Sequence, residues 1–142
     1  MLQRIIVTAW AGSLWCVGFL VAPLLFASLP NRELAGDAAR QLFTGVEYLG
    51  VICGLLWMIS ARVRSGHWFT APGIRPVSIM LILTVLSLLV IDPWLDHLRL
   101  TDGGSSSAFA WAHGVATAVY LLLCLLALWL VTRDADAAFK AE

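Results

Sequence analysis

The sequence predicts an all-α polytopic membrane protein, a bundle of four transmembrane helices, and three observations carry that expectation. Long apolar stretches at about 5–29, 41–61, 76–95 and 108–131 fill most of the 142 residues. Hydrophobic residues make up 61% of the chain and charged residues 13%, about half the charged share of a soluble domain. The connections between the stretches are short. A bilayer core about 30 Å thick takes roughly 20 apolar residues rising about 1.5 Å each. Lipid offers free backbone groups no partner, so each stretch is expected to be helical, and short loops make an up-and-down bundle the economical arrangement.

In the first stretch Arg4 precedes the apolar run and Ala27-Ser28 offers small residues, as in a secretory signal. The run is too long for a signal core of about 7 to 15 residues, so it reads as a retained first helix, with a break at Pro23. Pro30-Asn31-Arg32-Glu33 reads as a turn in which Asn31 caps the second helix, with Glu33 and Asp37 at the positive end of its dipole. That helix is expected from about Arg32 to Arg64, with the turns through Arg40 outside the hydrocarbon. Ser65 to Gly73 is a loop whose Trp68-Phe69 pair suits the headgroup zone. The third helix is expected to end or kink at Asp92-Pro93 and to resume towards Arg99. Thr101 to Ser107 reads as a flexible loop, and 132–142 as a polar tail that frays after the fourth helix.

Lys and Arg in short loops mark the cytoplasmic side. Arg4, Arg62, Arg64, Arg75, Arg133 and Lys140 fall on one side, and Arg32, Arg40 and Arg99 on the other. Both termini are therefore expected in the cytoplasm, with the chain in the bacterial inner membrane. The formal net charge is zero and the basic residues form no stripe, which excludes nucleic acid as an expected partner. Cys16, Cys53 and Cys124 each fall inside an apolar stretch without CxxC spacing and read as buried thiols. There is no HExxH, GxSxG or P-loop, so no enzyme is expected. Trp10, Trp57, Trp68 and Trp111 fall near the expected helix ends, as belt anchors do.

Helices approach closely in lipid where small residues line them. Gly50 with Gly54, Gly18 with Ala22, and Gly114 with Ala118 are such pairs. They are expected to pack within the chain, with contact to a second copy as the other use. Besides the lipid bilayer, a homo-oligomer or larger membrane complex is the expected partner.

Glu47 and His113 each lie five residues in from the outer ends of their helices, about 7 to 8 Å deep, and so share a level. Ionisable groups in spans face inward and find partners, which makes a Glu47–His113 hydrogen bond the natural expectation. Pro23 lies at a similar level, Asp92-Pro93 marks the outer end of the third helix, and Thr117 and Tyr120 continue a polar line inward. Three readings follow: structural pairing in a packing or assembly module, an outer-leaflet polar site of a small transporter or channel component, or a metal- or haem-handling site. The third is weakest. Zinc takes four protein ligands, or three plus water. One His and one Glu fall short of that, and His67 lies on the other side, so neither metal nor other cofactor is expected.

Several blocks resemble the transmembrane protein 205 family of small four-helix membrane proteins. They are Ala9-Trp10, Gly12, Trp15, Phe19, Pro23 through Pro30, Ala35-Gly36 and Leu42-Phe43, then Asp92-Pro93 with Arg99, and Phe109 with His113-Gly114. Thr117 and Tyr120 stand where that family usually has an Asn. The resemblance implies a four-span integral membrane protein in which Pro23 and His113 belong to one architectural layer. It implies no substrate.

Overall fold

The computed structural model describes residues 2–65, 73–102 and 106–139. Trp68-Phe69, His67 and the Gly103-Gly104 linker, all read from the sequence, lie outside them. Four helices account for the described residues, with no strand among them. Helix α1 is Leu2–Ser28 and α2 is Arg32–Ser65. Helix α3 runs from Ile74 through Asp102, and α4 is Ser107–Phe139. All four are long and apolar enough to cross a membrane. Each helix packs beside its neighbours in sequence and α1 closes the ring against α4, as an up-and-down bundle requires.

Local chemistry sets the helix ends. Leu29 is extended at ψ 138° because it precedes Pro30, and its N–H donates to the Leu25 carbonyl at 3.0 Å. Asn31 caps α2, its Oδ1 accepting from the Glu33 N–H at 2.9 Å. Ser106 caps α4 in the same way, with its Oγ accepting from the Phe109 N–H at 3.1 Å. At the start of α3, Gly73 takes a left-handed φ of 91° beneath the Trp57 ring, where any side chain would be strained. Helix α4 continues to Phe139, through an alanine-rich segment read from the sequence as a fraying tail. Alanine is the strongest helix former, which accounts for the extension.

The breaks expected at Pro23 and Pro93 are widened turns inside continuous helices. A π turn spans Val17–Val21, with the Ala22 N–H donating five residues back to the Val17 carbonyl. A second spans Ser87–Ile91, with the Asp92 N–H donating to the Ser87 carbonyl. A helical proline clashes with the carbonyl four residues before it, which is Phe19 for Pro23 and Leu89 for Pro93. Both carbonyls lie inside the π turns, where the wider winding gives the ring room and the helix continues.

The core is built from Val7, Trp10 and Leu14 of α1, Cys53 and Trp57 of α2, Val77 and Met80 of α3, and Cys124, Ala127 and Leu130 of α4. Trp10 and Trp57 are only 1% and 3% exposed, so they are core residues and not belt anchors. Gly50 explains the first: a Cβ there would stand 2.7 Å from Trp10 Nε1, so only glycine lets the indole lie against α2. Gly54 admits Leu81 and Gly18 admits Tyr120 in the same manner, and Ala22 is buried. The Gly114–Ala118 pair differs. Both residues are exposed, and nothing lies within 4 Å of a Cβ built on Gly114. The intrachain packing expected for that pair is absent because Ala112, fully buried, defines the inward face of α4, and Gly114 lies about 200° from it at 100° per residue.

Candidate functional site

Asp37, Arg40, Thr44 and Glu47 follow at spacings of three, four and three, which places them on one face of α2. Asp92, Asp96 and Arg99 do the same on the outer part of α3. The two helices run antiparallel, and the faces meet as a polar seam. Arg99 Nη1 donates to Asp37 Oδ1 at 2.6 Å, Arg40 pairs with Asp96, and Thr44 Oγ1 donates to Asp92 Oδ2 at 3.4 Å. Glu47 completes the series, faced by Ser87 and Asp92. Gly36 leaves room for the Arg99 guanidinium, whose Nη2 stands 3.4 Å from where a Cβ would be, and that guanidinium also lies 5.9 Å from the Phe109 ring centre.

Exposure falls along the seam. The Asp37 side chain is 55% exposed, whereas Glu47, ten residues or about 15 Å further along α2, is only 8% exposed. The π turn of α3 shapes the inner end. Ser87 and Asp92 are five residues apart and would diverge on an α-helix, but the turn between them brings both to the Glu47 carboxyl. Glu47 Oε2 and the indole Nε1 of Trp10 are both buried without a hydrogen-bond partner. Gly50, one turn beyond Glu47, is the residue against which that indole lies. An orphaned buried polar atom is rare in a folded protein, and here an unpaired acceptor and an unpaired donor occur at one end of one seam.

Among the residues singled out from sequence, Glu47 and Asp92 come together and His113 does not join them. His113 is exposed, its ring stacked on Phe109 at a centroid distance of 6.1 Å. Thr117 donates to the His113 carbonyl at 2.8 Å, a bond within one helix. Counting residues from the helix end gives depth but not azimuth, and His113 is turned about 100° from the buried Ala112. Tyr120 does face inward. Its hydroxyl donates to the Leu14 carbonyl of α1 at 2.5 Å, and its ring meets Phe43 edge-on at 4.9 Å. Tyr120 thereby ties α4 to α1 at Leu14, three residues before the π turn. Pro23 and Pro93 are both exposed.

The residues missed by sequence reasoning are Asp37, Arg40, Thr44, Ser87, Asp96, Arg99 and Trp10. The signal was present in the matching spacings and opposite charges of 37, 40, 44 and 92, 96, 99. It becomes visible only once α3 runs through Pro93 as one helix and not as two pieces joined at a kink. Among the described residues, no group of three His, Cys, Asp or Glu side chains is placed to hold a metal ion. Cys53 and Cys124 are buried and Cys16 is exposed, all as free thiols.

No curated protein and no solved structure matches the chain. A family match is found over residues 5–103, which takes in α1, α2, α3 and the whole seam and stops before α4. The chain belongs to that family, described as Domain of unknown function (DUF4149).

Proposed function

We propose that the protein is a non-enzymatic helix-packing module of the bacterial inner membrane that assembles, through the outer half of α4, into a homo-oligomer or a larger membrane complex. One observation carries this reading. Ala110, His113, Gly114, Thr117 and Ala118 all point out of the bundle, so a GxxxA pair with an imidazole beside it lies on a surface that the chain itself leaves open. Small residues give lipid no better contact than leucine would, but they let a second helix approach closely. A histidine inside a span is unfavourable against hydrocarbon and finds a partner across such a contact. The other outward residues of α4, among them Leu121, Leu125 and Leu128, are large and apolar, as a lipid-facing surface is.

The resemblance to the transmembrane protein 205 family supports the four-span architecture and supplies no substrate. The transport reading, with Glu47 and His113 as one outer-leaflet site, loses its geometric basis because the two side chains face different ways. For the metal reading, no group of three His, Cys, Asp or Glu side chains comes together among the described residues. The test is native mass spectrometry of the detergent-purified protein beside Gly114→Leu. Assembly through α4 yields a defined oligomer in the wild type and monomer in the variant. A wild-type monomer with no retained partner, or an oligomer untouched by the substitution, sinks the proposal.

A further inference from the structure

We propose that Glu47 and Asp92 form an intramembrane proton-binding pair, reached from the membrane interface along the α2–α3 seam. The two carboxyl groups face one another, and among the described residues no counter-ion stands beside them at that level. From α1 the facing residue is Trp10, which carries no charge. Along α2 and α3 the nearest cations are Arg40 and Arg99, and they are engaged by Asp96 and Asp37. From α4 the titratable neighbour is Tyr120, whose hydroxyl is committed to the Leu14 carbonyl. Two carboxylates in contact inside a span are stable only with a single cation between them. A proton suits the pair best, because it needs no shell of six oxygens as a metal cation does.

The orphaned Glu47 Oε2 is the second, independent sign. A carboxyl group that is more than nine-tenths buried and has an oxygen unmatched by the protein is poised to take an additional hydrogen bond. The seam supplies the route. Its carboxylates and hydroxyl, from Asp37 through Thr44, connect the exposed end to the buried one: one O–H bond breaks on an arriving hydronium ion, which leaves as water, and one O–H bond forms on the pair, with no electron transferred.

Infrared difference spectroscopy of the full chain in liposomes tests this through the carboxylic acid C=O band. The wild type should show a protonated-carboxyl band that fades as pH is raised. Glu47→Gln should abolish it, while Asp37→Asn at the exposed end should leave it in place. Labelling wild-type glutamate with 13C reads the same assignment without any substitution, since it moves a Glu band and leaves Asp bands where they are. Replacing choline by sodium at constant pH should have no effect. Absence of the band at every pH where the protein is folded, its survival in Glu47→Gln, or its loss on adding sodium would each overturn the proposal, the last by making this an alkali-ion site.

Discussion

Tyr120 and Gly18 act as one unit. The π turn at Val17–Val21 shifts the helical bonding by one residue, and the Tyr120 hydroxyl donates to the Leu14 carbonyl three residues before it. That hydroxyl can reach only because residue 18 is glycine, since a Cβ there would stand 2.5 Å from the tyrosine ring. Tyr120→Phe is expected to lower stability by about 1 kcal/mol, the scale of one hydrogen bond between membrane helices. Gly18→Val should cost more, because the ring has to leave its place and the α1–α4 contact opens. Reversible unfolding in bicelles measures both, and a Gly18→Val protein as stable as Tyr120→Phe would refute the steric argument. Tyr120 was legible in the sequence as an inward polar residue of α4, but its partner was not. Which backbone carbonyl of a neighbouring helix a tyrosine reaches has no signature in residue identity. His113 shows the opposite error, because its depth was readable from the chain while its direction depended on which face of α4 the neighbours occupy.

At the level of helices, the seam aligns α2 with α3 and contributes little to net stability. Its two ion pairs have side chains between about a third and just over half exposed, a class typically worth about 0.2 to 1 kcal/mol each. Their value lies in register, since Asp37–Arg99, Arg40–Asp96 and Thr44–Asp92 form together only at one sliding position of two antiparallel helices. Asp37→Arg and Arg99→Asp should each loosen the α2–α3 contact, and the double exchange should restore it. A double-mutant cycle read by thermal unfolding checks this, and two strictly additive effects would mean that the pair is not coupled. The four spans could be placed from apolar length alone, and the cap at Asn31 from its residue type. The seam could not be placed, because a proline inside a helical pattern reads as an end or a kink. A kink of unknown angle at Asp92-Pro93 leaves open which face of α2 the resumed turns carrying Asp96 and Arg99 would meet. The π turn removes that obstacle, and it is the same turn that brings Ser87 and Asp92 to Glu47.

For the whole molecule, the four-helix ring follows from lengths and short loops, but the outward surfaces do not. Helix α4 carries leucine on nearly every side, so its sequence holds no periodicity from which to read the inward face. The direction of the bundle in the membrane is a separate matter, decided by charge. Among the described residues Arg4, Arg62, Arg64, Arg75 and Arg133 lie at the end of the bundle where α1 begins and α4 ends. The seam opens at the opposite end, where Asp37 and Arg99 meet. Positive residues near short loops stay on the cytoplasmic side, so the open end of the seam is expected to face the periplasm and a proton taken up by Glu47 to come from there. A cysteine introduced at Asn31, next to that end, should react in whole cells with a thiol reagent that cannot cross the inner membrane, while a cysteine at Arg133 should react only after lysis. The reversed pattern would place the seam on the cytoplasmic side, leaving the bundle and its carboxyl pair as they are but inverting the direction from which the site is loaded.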